Sequence, residues 1–201
     1  MLLPQEKHYL LTLEDDCAIL RLTSADQTNK LSIACVRALL ECGQMLRAEA
    51  ESSRIRRLII TGNDRFFSAG ADLNEIAQLT GPQAFEFSRV GQCLMQNIDT
   101  FPVPVIAAVS GYCMGGGLDL ALACDYRIAA PNAIFGHRGA SLGLITGWGG
   151  TQRLPRLIGK PRALQMFLLA EKVHAQEALR IGLVDEVAYS PVARAIFLAQ
   201  T

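Results

Sequence analysis

The chain has 201 residues, half of them hydrophobic, and its 19 basic side chains balance 19 acidic ones. This length and apolar content predict one globular domain with a full core. The zero net charge argues against a nucleic acid or a membrane surface as partner. No apolar run is long enough to span a bilayer and the N-terminus does not resemble a secretory signal, so we expect a cytoplasmic protein.

Short apolar runs bounded by turn-forming residues alternate with segments of helical periodicity. The predicted strands cover residues 9–13, 17–22, 57–61, 105–109 and 125–129. The predicted helices cover residues 33–52 (with Ser32 as N-cap), 82–98, 118–124, 162–169 and 175–181. This order predicts a mixed α/β fold with mainly parallel strands, in which ligands gather at the carboxyl ends of the strands.

Two small-residue turns, at residues 66–73 and 111–119, each follow a predicted strand and lead into the first turn of a helix. A helix start leaves backbone N–H groups without partners and concentrates partial positive charge. Two such starts directed at one point would stabilise a developing oxyanion. The pair therefore predicts a site that polarises a carbonyl group.

Two further groups of residues are interpreted as structural. Six cysteines without a Cys-x-x-Cys pair indicate reduced core thiols rather than disulfides or a metal site. A basic cluster indicates a solvated helix face, with a phosphate contact as the alternative. The cysteines are Cys17, Cys35, Cys42, Cys93, Cys113 and Cys124. The basic cluster consists of Arg153, Arg156, Lys160 and Arg162.

The last segment, residues 190–201, begins like a helix, with Ser190 as cap and Pro191 in the first turn. Its apolar positions need a partner, so we expect a missing domain, a docking surface or a neighbouring subunit to cover them. On this interpretation residues 1–189 form the core domain, and residues 190–201 begin a truncated C-terminal helical region.

Six sequence blocks together resemble the enoyl-CoA hydratase/isomerase, or crotonase, superfamily. They are residues 57–62, 67–73, 104–111, 115–117, 123–125 and 149–155. The resemblance implies an α/β, crotonase-like spiral of repeated β-β-α units with its usual C-terminal helical region truncated. It also implies an acyl-CoA substrate with no tightly bound cofactor and no metal, and a homotrimer or a dimer of trimers.

The resemblance also implies roles for particular residues. The two oxyanion donors of the family correspond to the backbone N–H groups of Ala71 and Gly116, where the glycine lets a carbonyl approach the backbone closely. The loop from Ser68 to Leu73 corresponds to the family's site for the adenine end of coenzyme A. The substrate-binding set is Ser68, Ala69, Ala71, Asp72, Leu73, Gly115, Gly116, Gly139 and Leu142.

The acidic residues depart from the hydratase pattern. Enoyl-CoA hydratases use two glutamates, and the matching positions here are Asp119 and Gly139. Aspartate can still transfer a proton, whereas glycine cannot. A single carboxylate favours isomerisation, decarboxylation or another proton transfer on an enolate over hydration, and a Gly139→Glu change is expected to restore the missing partner.

Several alternatives remain open at this point. Asp119 could merely stabilise the start of its helix, and His137 could be a substitute base or a structural hydrogen-bonding residue. Trp148 and Tyr112 are expected to be core or pocket wall. Ser141 lies in a Gly-x-Ser-x-Gly sequence typical of serine hydrolases, but the helix that such a motif requires does not follow it. Besides an enolate-forming enzyme and a serine hydrolase, the protein could bind acyl-CoA without catalysing a reaction.

Overall fold

The computed structural model describes residues 7–198. Within them the strands are β1 (Tyr9–Glu14), β2 (Cys17–Leu22), β3 (Lys30–Leu31), β4 (Arg57–Thr61), β5 (Phe66–Ser68), β6 (Gly70–Ala71), β7 (Val105–Val109), β8 (Tyr112–Met114), β9 (Tyr126–Ala129), β10 (Ile134–Gly136), β11 (Val173–His174) and β12 (Glu186–Val187). The helices are α1 (Ile33–Glu51), α2 (Leu73–Ile76), α3 (Gly81–Asp99), α4 (Gly116–Ala123), α5 (Gly150–Ile158), α6 (Lys160–Leu168), α7 (Ala175–Arg180) and α8 (Pro191–Phe197). The predicted mixed α/β class is confirmed.

The larger sheet has the order β1-β2-β4-β7-β9-β12, and all its neighbours are parallel except β1 and β2. Its first five strands match the predicted ones to within a residue at each end. Side chains alternate between the two faces, so that Leu58 and Ile60 of β4 enter the main core while Ile59 faces the opposite side. The large sheet is therefore apolar on both faces, and each face must be buried by other elements.

Helix α8 covers the second of these apolar faces. Its residues Val192, Ala195 and Ile196 pack against the sheet face that contains Ile59 and Ile106. The expectation that this segment needs a separate partner is therefore wrong for Val192, Ala195 and Ile196, because strands of the same chain cover them, whereas Phe197 is 56% exposed. Residues 199–201 of the predicted C-terminal region lie outside the described residues.

The turns that matter for the site belong to a smaller sheet, with the order β11-β10-β8-β5, and to the two-stranded pair β3-β6. Strands β5, β8 and β10 are parallel and three residues long, too short for their hydrophobic pattern to predict them. They bring the two small-residue turns side by side. Helix α4 follows β8 and starts at Gly116, two residues before the predicted start.

The helices follow their caps. Ser32 accepts a hydrogen bond from the Cys35 amide at 3.1 Å and starts α1, as predicted. Helix α5 was not predicted, since it starts with glycine and contains Pro155. Five cysteines are buried and none of the six forms a disulfide among the described residues, but Cys93 is exposed on α3, so its placement in the core was wrong. In the part of the chain described here, no helix is long and apolar enough to cross a membrane.

Candidate functional site

A largely apolar cavity of about 630 Å³ opens where β5, β8 and β10 end. Aliphatic and aromatic side chains of α2, α3 and the segment before α5 form most of its wall, and the two small-residue turns reach it from the sheet. The wall residues include Leu73, Ile76, Leu79, Ala84, Phe87, Leu142, Leu144, Ile145 and Trp148. Such a cavity is suited to a ligand with a large apolar part and a few polar atoms that orient it.

The two predicted carbonyl-binding amides meet at one wall of this cavity. A Cβ atom at position 116 would lie 3.4 Å from the backbone nitrogen of Ala71, and one at position 70 would lie 3.1 Å from the nitrogen of Gly116. Gly116 is the first residue of α4, so its N–H has no acceptor within the helix. The fold thus places the two amides next to each other on the cavity wall.

Trp148 packs between α3 and α4, behind the cavity wall that contains the Gly116 amide. A Cβ at Gly116 would approach the indole to 2.5 Å, and one at Gly91 of α3 would approach it to 2.0 Å. The indole is buried, donates a hydrogen bond to the Phe87 carbonyl at 3.3 Å and stacks at an angle on the Phe87 ring. Two glycines therefore make room for one large side chain between α3 and α4.

The predicted substrate-binding residues separate into two groups. Ala69, Ala71, Leu73, Gly115, Gly116, Gly139 and Leu142 line the cavity, together with Asp119. Ser68 and Asp72 are outside the lining. The buried Ser68 hydroxyl bonds the Asn29 carbonyl at 2.7 Å, and Asp72 caps α2 by accepting from the Asn74 amide. Their side chains hold the loop in shape.

Asp119 lies inside the cavity wall with only 1% of its side chain exposed. Its Oδ2 accepts a hydrogen bond from the Thr146 hydroxyl. Burial raises the pKa of Asp119 to about 7, although Thr146, the Arg153 charge and the Gly150 amide each favour the ionised form. Asp119 is the acidic residue in the first turn of α4, where a carboxylate also stabilises the helix dipole, so its structural role at the helix start remains compatible with the fold.

His137 follows β10 and faces Asp119. Its Nε2 atom lies 3.4 Å from Oδ1 of Asp119, and its ring packs on Phe167 with 5.0 Å between ring centroids. Burial lowers the pKa of His137 to about 4, so the imidazole is neutral at pH 7. The structure therefore joins two buried polar side chains that are 18 positions apart in the chain.

Gly139 lines the cavity within a 3-10 turn (Gly139–Leu142). A Cβ at this position would lie 2.5 Å from the Leu144 carbonyl oxygen, which belongs to the backbone and cannot move aside easily. A glutamate does not fit here without moving that loop. The expectation that Gly139→Glu would simply restore a second carboxylate is therefore wrong.

Ser141 lies in the same 3-10 turn and donates a hydrogen bond to the Arg138 carbonyl at 2.8 Å. No α-helix begins directly after it, because α5 starts nine residues later, at Gly150. The strand-turn-helix arrangement of a serine-hydrolase nucleophile is therefore absent around Ser141 in this part of the chain.

The predicted basic cluster lies on the consecutive helices α5 and α6, with Arg156 and Lys160 exposed. Arg153 on α5 lies 3.4 Å from the Asp99 carboxylate, whereas Arg162 on α6 pairs with Glu171 at 2.7 Å. Cationic side chains at the cavity come from elsewhere: Arg138 and Lys172 line it, and Lys172 lies over the Tyr112 ring. Tyr112 and Trp148 belong to the cavity wall, as expected.

Sequence reasoning missed Thr146 and Gly150, which lie against the Asp119 carboxyl. A Cβ at Gly150 would approach Asp119 Oδ1 to 2.2 Å, so only glycine leaves space for that oxygen. The Gly149-Gly150 pair at the start of α5 was the available signal. Its meaning depends on the position of α4, which lies about 30 residues earlier in the chain.

Comparison with known proteins gives one consistent likeness. The family profile described as enoyl-CoA hydratase/isomerase matches residues 14–194. Crotonyl-CoA hydratase of Syntrophomonas wolfei is 41% identical over 182 residues, which cover 90% of this chain and 69% of that protein. A Bacillus subtilis relative described as a probable enoyl-CoA hydratase is 43% identical over 158 residues, covering 78% of this chain but 60% of its own length.

Solved structures show the same likeness. DspI of Pseudomonas aeruginosa superposes with a TM-score of 0.92 at 35% identity, covering 98% of this chain and 75% of that one. The enoyl-CoA hydratase of Bacillus anthracis superposes with a TM-score of 0.90 at 36% identity, covering 96% of this chain and 75% of that one. The likeness therefore extends over nearly all of this chain and about three quarters of these structures.

Proposed function

Because the chain belongs to the enoyl-CoA hydratase/isomerase family, we propose that it binds an acyl-CoA thioester and catalyses proton transfer at the carbon next to the thioester carbonyl. One observation carries the proposal. The backbone nitrogens of Ala71 and Gly116 and the buried Asp119 carboxyl lie on the wall of one apolar cavity.

The proposed chemistry uses each feature in turn. The N–H groups of Ala71 and Gly116 donate to the thioester oxygen. The Asp119 carboxylate takes a proton from the adjacent carbon, so that a C–H bond breaks, an O–H bond forms and the electron pair becomes an enolate. The two donors stabilise the negative oxygen, and one such donor contributes ~3 kcal/mol.

The pKa of about 7 suits Asp119 to this task, because both its forms are populated near neutral pH. The ionised form removes the proton and the protonated form returns it to the same carbon or to a conjugated one. Hydration would also need a group that activates water. Position 139, which supplies a glutamate in hydratases, offers none, so we propose isomerisation or related enolate chemistry over hydration.

The acyl group in this proposal is apolar, because aliphatic and aromatic side chains line the cavity beyond the two amides. The coenzyme A portion would then lie towards the loop from Ser68 to Leu73, with Arg138 and Lys172 near its path. Coenzyme A is part of the substrate. By family resemblance we also propose a homotrimer or a dimer of trimers.

Deuterium exchange tests the proposal without knowledge of the natural acyl group. Butyryl-CoA incubated in heavy water with the protein should exchange its α-protons, as followed by NMR, and Asp119→Asn should reduce the rate about 10²- to 10⁴-fold. Isomerisation of 3-butenoyl-CoA and hydration of crotonyl-CoA are measured in parallel. Binding without exchange would indicate an acyl-CoA-binding protein, and hydration that Asp119→Asn leaves undiminished would refute the assignment.

A further inference from the structure

Two buried polar atoms face each other at the site without hydrogen-bond partners among the described residues. They are Oδ1 of Asp119 and Nε2 of His137, which lie 3.4 Å apart on side chains that are 1% and 4% exposed. Buried polar atoms almost always have a partner, so each exception needs an explanation. The proposed function uses Asp119 and gives His137 no role.

The surroundings direct these two atoms towards each other. The Thr146 hydroxyl donates a hydrogen bond to Oδ2 of Asp119, and the other oxygen, Oδ1, faces the imidazole. Gly150 keeps the space open, because its Cβ would lie 2.2 Å from Oδ1 and 3.0 Å from Nε2. The Phe167 ring packs against the imidazole and limits its rotation. Catalytic hydrogen bonds are often long before substrate binds, so 3.4 Å is within reach of a bond that tightens on binding.

We propose that His137 is a positioning residue, whose neutral imidazole donates its Nε2–H to Oδ1 of Asp119 and orients the carboxylate that removes the substrate proton. The inference rests on the proposed function of Asp119. His137 keeps its own proton throughout, and the only bonds that change are the substrate C–H bond and the Asp119 O–H bond. The chemistry of the site then needs no carboxylate at position 139.

Charges around the pair agree with this assignment. His137 is neutral at pH 7, because burial lowers its pKa to about 4, and a neutral imidazole can donate through one nitrogen. Arg153 from α5 lowers the pKa of Asp119. Cys113 of β8 stays uncharged, because burial raises its pKa well above the usual range. Hydrogen bonds to charged groups are among the stronger ones, so removing this donor should slow exchange about ten- to hundredfold.

The test compares His137→Leu, His137→Gln and the control His174→Gln, which changes an exposed histidine on β11. In α-proton exchange on butyryl-CoA, His137→Leu should lower kcat, change KM little and move the midpoint of the kcat-pH profile upward. The upward direction follows because the carboxylate loses a donor and gains apolar surroundings. His137→Gln, whose amide can donate, should return the midpoint towards that of the wild type, and the control should match the wild type.

A double-variant experiment separates positioning from an independent role. If His137 acts through Asp119, adding His137→Leu to Asp119→Asn should slow exchange no further. A further tenfold loss, or a folded His137→Leu protein with an unchanged pH profile, would overturn the inference. Wild-type exchange in Asp119→Asn alone would instead refute the proposed function.

Nitrogen-15 NMR of the histidine-labelled wild type provides a test that needs no variant. It should show His137 with its proton on Nε2 at pH 7. A proton on Nδ1 instead would overturn the inference even if the His137 variants fail to fold.

Discussion

Replacing the buried carboxyl of Asp119 with an amide should make the protein more stable while it loses activity. A pKa raised from 3.8 to about 7 means that the folded state holds a proton that the unfolded state releases. The wild type therefore loses stability as the pH rises from about 4 to about 7, by ~1.4 kcal/mol per pH unit. The full loss above pH 7 is ~4 kcal/mol, and Asp119→Asn avoids it.

The assay is urea denaturation followed by circular dichroism at several pH values between 4 and 8, for both proteins. The informative quantity is the pH dependence of the difference in unfolding free energy, because any fixed cost of turning an amide towards Thr146 shifts all points equally. At pH 4, the low end of this range, Asp119 of the folded protein is neutral like the asparagine amide, which supplies an internal reference. A difference that stays flat from pH 4 to 8 would refute the claim that burial controls this carboxyl.

Three further outcomes test the site and the assembly. Gly116→Ala should reduce turnover about 100-fold in an enzyme assay, since its Cβ enters the space between the proposed carbonyl-binding amides and Trp148. Gly81→Ala, whose Cβ meets nothing within 4 Å, is the matched control. Gly139→Glu should lower the free energy of unfolding by about 1–3 kcal/mol, measured by urea denaturation, and should not raise hydration, because its Cβ meets the Leu144 carbonyl; a gain in hydration would contradict this packing argument. Light scattering should show a trimer or larger, and a stable monomer at micromolar concentration would count against the assembly.

The sequence predicted the parts of the fold whose signals are local. Strands β2, β4 and β7 are apolar runs bounded by turn residues, and Ser32 marks the start of α1 as its hydroxyl suggests. The three-residue strands β5, β8 and β10 carry too short a pattern, and their pairing with one another defines them.

The site divides in the same way. The resemblance, which spans several blocks, predicts Ala71 and Gly116 as the carbonyl donors, and the fold brings these two residues close together. The approach of His137 to Asp119 depends on how β10 lies beside β8 and how α5 closes over α4, so no single segment encodes it. The packing of α8 on the large sheet likewise depends on tertiary structure, because the sequence of an apolar helix face does not specify which surface will bury it.

The position of Trp148 makes the protein its own optical probe. It is the one tryptophan in the sequence and is 3% exposed. It lines the apolar cavity and packs against α4, which begins with the Gly116 amide that we propose as a carbonyl donor. All indole fluorescence of the chain therefore originates at the site. Emission from the folded protein should lie at the short wavelengths of a dry environment, and occupation of the cavity should change its intensity. A titration with thioesters of increasing acyl length would then rank ligands without any label, and would do so equally well for variants that no longer turn over.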